Sequence, residues 1–530
     1  MTLAALSPAK LSPRPFLGVE RSATGRLWRD RLDERAAARS LAIVQRHALP
    51  ELLARVLAGR GVEVEEALAF LDPTVRSLMP DPGVLADMPA AAARIAAAVE
   101  RGEIVAIFGD YDVDGATAAA TLARFLRHAG LAPLIHIPDR IFEGYGPNLE
   151  AIRALAARGA TLLVTVDCGT TSHEPLAQAN KLGLDVIVID HHQADETLPP
   201  ALAVVNPNRL DDLSGLGHLA AVGLVFMTVV AVNRELRSRS FWTAQRGEPD
   251  LLGMLDLVAL GTIADVVRLK GLNRAFVAKG LLALRRRDNI GLTALMDIAR
   301  LGGPPEPWHL GFLLGPRINA GGRIGRATLG VDLLLNEDPA VAAGIAAELD
   351  RLNRERQVVE LATLAQAEAE AMAAGVTLRK DALGEFRAYL EDSLSGAVEA
   401  ARRADGVAVD GALTAGAATH ELVGTLARAG PFGAGNPEPI VALPAHTIVY
   451  AGEVGRAHVR ARLRGGDGST INAVAFRAAG QPLGIALAQN RGRSVHAAGS
   501  LTVDRWQGEE RVQLRLIDIA PTDIPPRPSA

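Results

Sequence analysis

Ile104-Val105-Ala106-Ile107-Phe108-Gly109-Asp110-Tyr111-Asp112-Val113-Asp114-Gly115 decides the fold. Its first five residues are apolar without polar alternation, the pattern of a strand buried on both faces, and the glycines and acids that follow mark a turn. The same unit recurs on either side. Ala90–Glu100, Ala116–Ala129, Leu149–Ala157 and Glu174–Lys181 read as helices. Ile104–Phe108, Pro133–Ile137, Leu162–Val166 and Val186–Ile189 read as the strands between them. Apolar strands separated by helices predict a parallel sheet covered on both faces, a doubly wound α/β fold.

Further outward the pattern changes. Residues 1–75 read as a helical N-terminal extension, and the Pro- and Gly-containing stretch 74–88 as a linker. The α/β domain is expected over 76–335, with further helical regions at 218–236 and 251–264 and a Gly-rich segment at 311–330. A long helical pattern over 336–371 suggests a connector. Beyond Pro431, short Gly-punctuated β runs such as Val441–Leu443, His446–Tyr450, Val459–Leu463, Ile471–Phe476 and Val512–Ile519 predict a small β-barrel over 431–522. The Pro-rich residues 523–530 read as a disordered tail.

The totals set bounds. A chain of 530 residues, 49% hydrophobic and 22% charged, is globular in composition and too long for one small binding module. Its net charge of -4 advertises no global field for nucleic acid or membrane, so any phosphate binding must be local. The single cysteine, Cys168, excludes an internal disulfide and reads as a small buried hydrophobe. No secretory signal pattern opens the chain, and the longest apolar run, Leu219–Val232, is too short to span a bilayer. The expectation is a cytoplasmic protein.

Asp110, Asp112 and Asp114 alternate directly after a strand. In extended backbone, alternate side chains share a face about 7 Å apart, and three like charges there call for a divalent cation. A calcium loop would need a Glu at its twelfth position, where Thr121 stands. Asp167 in Thr165-Val166-Asp167-Cys168-Gly169 and Asp190 in Ile189-Asp190-His191-His192 end two further strands. Ligands of an open parallel sheet gather at the carboxyl ends of its strands, so the three motifs should converge. Imidazole beside carboxylates suits manganese, and an all-oxygen site suits magnesium or calcium. Such a set can hold two ions about 4 Å apart for in-line phosphoryl displacement, which predicts metal-assisted phosphoester or phosphoanhydride hydrolysis. Asp265, a single acid after an apolar helix, carries nothing by itself. Arg317-Ile318-Asn319-Ala320-Gly321-Gly322-Arg323 is Gly-rich enough for backbone amides to approach a phosphate while arginines bind its oxygens, or it is an ordinary surface loop. The barrel region 452–516 holds ten arginines against five acids, a net of +5, and with Phe476 and Trp506 it suits single-stranded nucleic acid. Those aromatics could equally be core.

Together, GDYDVDG at 109–115, TVDCGT at 165–170, DHH at 190–192, GTIADV at 261–266, RINAGGRIG at 317–325, LNRERQ at 352–357 and PFGAGNPEP at 431–439 closely resemble the RecJ family of bacterial single-stranded-DNA-specific exonucleases, within the DHH phosphoesterase superfamily. The resemblance runs from about residue 30 to 520. It implies metal binding by Asp112, Asp114, Asp167, His191 and Asp265 with Asp110 close by. It also implies a catalytic Asp190-His191-His192 set, in which Asp190 orients a histidine and His192 meets the scissile phosphate. Arg317, Asn319 and Arg323 would contact DNA. The implied activity is processive 5′ to 3′ hydrolysis of single-stranded DNA in repair and recombination with Mn²⁺ or Mg²⁺, the barrel is the family's OB-fold, and a single-strand-binding protein and a helicase are implied partners. In one respect the chain departs from the pattern. The family's long helix leads into a second α/β domain, whereas here Gln366-Ala367-Glu368-Ala369-Glu370-Ala371 runs straight into Met372-Ala373-Ala374-Gly375. Only a remnant of that domain, at 372–430, is expected.

Overall fold

The computed structural model describes residues 15–373, 406–455, 457–506 and 509–522. Two compact units emerge, one of Pro73–Ala374 with Pro431–Pro437, the other of Met1–Asp72, Gly375–Gly430 and Glu438–Ala530.

The first unit is built on five parallel strands: β2 (Val105–Gly109), β3 (Leu134–His136), β4 (Leu162–Val166), β5 (Asp185–Ile189) and β6 (Ala203–Val205). Their order is β3-β2-β4-β5-β6, so the chain reverses direction across the sheet between β2 and β4. Side chains along each strand alternate between two apolar layers. Val105, Ile107, Val164, Val166, Ile187 and Ile189 enter one core, packed by α3 (Met88–Arg101), α4 (Val113–His128), α7 (Ala221–Ser238) and α8 (Leu255–Ala264). Ala106, Phe108, Leu163, Val186 and Val188 enter the other, beneath α5 (Leu149–Ala157) and α6 (His173–Lys181). Both faces of every central strand are thus apolar, which is why the sequence shows no alternation there. The apolar run from Leu219 is the start of the buried helix α7. The expected strands and helices appear within a few residues of their predicted limits. The short edge strand β6 escaped the sequence reading because Ala203–Val205 has only three residues.

The Gly-rich segment at 311–330 is not a loop. A π-turn over Leu310–Leu314 runs into the helix α9 (Gly315–Ile324), whose amides are largely engaged in helical bonds and so do not form the predicted phosphate cradle. The glycines serve packing instead. A Cβ on Gly322 would sit 2.4 Å from the Tyr111 carbonyl oxygen, so only glycine lets α9 lie against the loop after β2. The long helix α10 spans Pro339–Ala373. Most of the expected domain remnant, residues 374–405, lies outside the described residues, as do residues 523–530 of the expected tail.

The second unit contains the barrel. β9 (Val441–Val454), β10 (His458–Arg464), β11 (Thr470–Ala475), β12 (Ser494–Trp506) and β13 (Glu509–Pro521) pair in the order β10-β11-β13-β12-β9, and β9 pairs with β10 to close the ring. The two-residue strand β8 (Gly411–Ala412) adds in parallel to β9. A helix, Pro482–Gln489, lies between β11 and β12 in sequence. Residues 15–72 correct the expectation of a separate helical extension. β1 (Trp28–Asp30) pairs in parallel with β7 (Val407–Val409), and the fully buried Trp28 donates its indole N–H to Asp518 on β13 at 2.9 Å. Arg31 and Arg60 both reach the buried Asp410 carboxylate, at 2.9 and 3.0 Å. Removing one partner of such a buried pair leaves an uncompensated charge, so the helices α1 (Glu34–His47) and α2 (Glu51–Gly59) are tied to this unit. The segment Pro431–Pro437, expected to begin the barrel, instead belongs to the α/β unit, where Leu269 donates its amide to the Ala434 carbonyl at 2.8 Å.

Candidate metal centre

Asp110, Asp167 and Asp190 follow β2, β4 and β5, three adjacent strands, at their carboxyl ends beside the switch point. The remaining acids arrive by a route the extended-strand argument did not foresee. The backbone turns helical at Val113, so Asp112 is the N-cap of α4, accepting from the Gly115 amide at 3.0 Å, and Asp114 lies in the first turn. Asp114 is aimed across at the N-terminus of α7, accepting from the Ala221 and Val222 amides at 2.6 and 3.0 Å. A carboxylate there completes two amides that have no partner within their own helix. Asp265 is the C-cap of α8. A Cβ on Gly261 would meet Thr117 Oγ1 at 2.3 Å and Asp114 Oδ1 at 2.9 Å, so this glycine lets α8 approach and deliver Asp265.

His191 Nε2 lies 3.2 Å from Asp167 Oδ1, 3.7 Å from Asp265 Oδ2 and 3.9 Å from Asp114 Oδ2. Asp110, Asp112 and Asp167 offer a further set of oxygens within 4.8 Å of one another. Asp167 is held at φ +62°, a left-handed conformation that Asp tolerates better than most residues. Asp190 faces elsewhere. It accepts from His192 Nδ1 at 2.7 Å and from the His191 and Thr170 amides at 2.8 and 3.1 Å, so its carboxylate orients His192.

The electrostatics separate these roles. Burial, then repulsion from Asp112, raises both Asp110 and Asp265 to about 7. Burial and the neighbouring acids push Asp114 and Asp167 well above the usual carboxylate range. Asp190 is buried too, but the bond and charge of His192 and the Thr170 contacts overcome that and hold it at about 2. Burial and the neighbouring His192 lower His191, favouring the neutral ring that a metal requires, while the bond to Asp190 raises His192. Asp110 Oδ1, Asp167 Oδ1 and Asp265 Oδ2 are buried without a hydrogen-bond partner. Orphaned carboxylate oxygens that repel one another around a neutral imidazole fit a divalent cation.

Of the residues expected to meet DNA, Arg323 is exposed on α9 and its charge acts on Tyr111 beside Asp110. Asn319 is half-buried four residues before it, on the same side of the helix. Arg317 is already partnered. Its guanidinium is bonded to Asp350 at 2.9 Å and to the Leu313 carbonyl at 2.7 Å. Residues that motif reading passed over complete the surround. Asn206 holds the His192 carbonyl and Thr170, Asn208 holds the His191 carbonyl, and the Tyr145 hydroxyl donates to the Asp167 carbonyl at 3.2 Å. Their only sequence signal is position after a strand. Cys168 is fully buried, as expected of a small apolar residue.

The family model for the DHH family, N-terminal domain, matches residues 104–262, and that for the RecJ OB domain matches 409–518. The chain thus carries a DHH-family domain and a RecJ-type OB domain. It is 39% identical over 325 residues to the single-stranded-DNA-specific exonuclease RecJ of Dickeya dadantii, covering 60% of this chain and 56% of that protein. It is 38% identical over 317 residues to the exonuclease of the same name from Escherichia coli, covering 59% of this chain and 54% of that one. The chain thus matches little more than half the length of these curated relatives. Among solved structures, RecJ from Thermus thermophilus in complex with Mn²⁺ superimposes with a TM-score of 0.69 at 26% identity, covering 93% of this chain and 79% of that one. The same protein in complex with Mg²⁺ gives 0.63 at 25% identity. Among the described residues, no helix is long and apolar enough to cross a membrane.

Proposed function

We propose that the chain is a metal-dependent exonuclease that hydrolyses single-stranded DNA from the 5′ end. The observation that carries the reading is the cluster of Asp110, Asp112, Asp114, Asp167, His191 and Asp265, three of whose buried carboxylate oxygens are unpartnered. Relatives named as single-stranded-DNA-specific exonucleases are similar to about 60% of this chain. Mn²⁺ or Mg²⁺ fits these donors, and there are enough of them for two ions. When bound, the metal supplies an activated water and charge stabilisation for an in-line displacement at phosphorus. The chain's own residues do the rest. Asp114 keeps its orientation through α7, and Asp190 fixes the ring of His192. That leaves Nε2 as the nitrogen free to meet a phosphate oxygen, while Arg323 and Asn319 approach the same mouth.

The barrel supplies a second, looser hold. Arg460, Arg462 and Arg464 alternate along β10 on its exposed side, with Tyr450 opposite Arg462 on β9 and Phe476 exposed just after β11. Cations interleaved with exposed aromatics suit backbone tracking and base stacking along a single strand. Arg515 is paired with Glu438, and the side chain of Trp506 lies outside the described residues. We assign the nuclease domain to residues 76–335 with Pro431–Pro437, the helical connector to 336–371 and the single-strand-binding barrel to 438–522.

The test is digestion of single-stranded DNA labelled at either end, with Mn²⁺, against the Asp190→Ala/His191→Ala variant. Mononucleotides released progressively from the 5′ end, and absent with the variant, are expected. Intact DNA alongside retained single-strand binding would leave a binding protein that does not turn over.

A further inference from the structure

β3, the edge strand beside β2, ends without an acid in the metal cluster. It leads instead into a turn at 138–147 that is fixed at its base. The Asp139 carboxylate accepts from the Ile141 and Phe142 amides at 2.8 and 3.1 Å, and the Asp139 amide donates to Glu143 Oε1 at 2.9 Å. Glu143 Oε2 in turn accepts from Asn148 Nδ2 and pairs with His136 Nε2, each at 2.9 Å. Two side chains bind the turn to the cleft wall. The Tyr145 hydroxyl donates to the Asp167 carbonyl at 3.2 Å and lies 3.2 Å from His192 Nδ1, and the Arg140 guanidinium sits 5.3 Å from the centre of the Tyr111 ring.

The tip is apolar. Ile141 is 72% exposed and Phe142 86%. Single exposed apolar residues are ordinary on a protein surface. Two in succession, held out on a turn bonded into the wall of a charged cleft, are not explained by fraying or by packing. Phe142 is three residues from Tyr145, so their α-carbons are at most about 11 Å apart. Tyr145 itself reaches Asp167 and His192, so Phe142 stands on the turn that borders the Asp and His cluster. A planar ring offered to solvent on a turn whose Arg140 lies over Tyr111, a residue that the charge of Arg323 also reaches, matches a nucleobase on a phosphate backbone, since every base has a face to stack and sequence need not be read.

We infer that Phe142 is a stacking platform for a base of the DNA strand near the scissile phosphate, and that this contact helps select single strands. Bases in a duplex already stack on their neighbours and cannot take this ring without unpairing. The inference rests on the nuclease reading above.

The test compares an ordinary single strand with one of the same length carrying abasic residues at its first positions, using the full chain with Mn²⁺. The expected wild-type result is a kcat/KM about tenfold lower on the abasic strand, chiefly through KM, in line with the usual worth of one stacked base. Phe142→Ala should lose about tenfold on the ordinary strand and treat the two strands alike, while Phe142→Trp keeps the preference. Wild-type preference retained by Phe142→Ala would overturn the inference. If the wild type cleaves neither strand, the nuclease reading falls on its own, and metal-free affinity for the two strands decides the stacking claim. Equal affinities across wild type and Phe142→Ala would then overturn it.

Discussion

The acidic cleft and the outer face of the barrel both concentrate charge, yet they are built on opposite principles. In the cleft, Asp110, Asp114, Asp167 and Asp190 are almost wholly buried, each fixed by a strand end, a cap or a helix terminus. On the barrel, Arg460, Arg462 and Arg464 are exposed along one strand, and only Arg462 among them makes a described side-chain bond, to Asn472 at 3.2 Å. Charge that must be exact is buried and individually necessary. Charge that need only accumulate is exposed and replaceable. Substitutions should therefore act all-or-none in the first region and by increments in the second.

The largest effect belongs to Asp112→Ala/Asp114→Ala, which should abolish cleavage of single-stranded DNA while gel-shift binding persists. Retained cleavage would break the assignment of the cleft. One step out, Asp190→Asn keeps the shape of the carboxylate but removes the charge that aligns His192. Supporting residues of this kind typically cost about 10- to 100-fold, so a loss of that size in kcat with folding intact is expected. An effect below about threefold would place His192 outside the chemistry, since a supporting bond that matters costs more.

The same contrast explains what was legible in the sequence. The cleft announces itself because a strand end is a fixed address. Apolar runs ending in Asp110, Asp167 and Asp190 predicted both the sheet and the convergence of these three acids. Asp265 was not legible alone, because it meets the others only through the packing of α8 at Gly261, a contact between residues far apart in sequence. The Gly-rich run at 315–325 misled in the other direction. Its glycines answer to the Tyr111 backbone and to Leu349 and Leu352 of α10, not to a ligand, and a sequence shows the glycine without its neighbour. Trp28–Asp30 was hidden in a helical-looking stretch because its partners, Val407–Val409 and Asp518, lie hundreds of residues away.

Acidity offers a sharper probe of the cleft. Asp110 and Asp265 titrate near 7 without metal, so both hold protons in mildly acidic solution and lose them above about pH 7. A carboxyl whose folded pKa is raised weakens the metal-free fold as pH climbs from about 4 through 7, because ionisation costs more in the buried cluster than in the unfolded chain. A cation reverses that cost and competes with the protons. The rise in Tm on adding Mn²⁺ should therefore be clearly larger at pH 8 than at pH 6. A rise independent of pH would mean that the metal binds away from these acids.

The barrel should respond most gently and most regularly. Removing one cation that neutralises a phosphate of a single strand lowers the slope of log K against log salt by about 0.7, so Arg460→Ala, Arg462→Ala and Arg464→Ala together should lower it by about 2. Each single variant should cost only a few-fold at moderate salt, the costs should add, and raising the salt should shrink the gap to wild type. Fluorescence anisotropy with a labelled oligonucleotide across a salt series reads all of this at once. If one arginine carried the whole effect, or the slope did not move, the face of β10 would be a specific contact or no contact at all. In either case the contrast between a necessary cleft and a cumulative barrel would fail at the barrel.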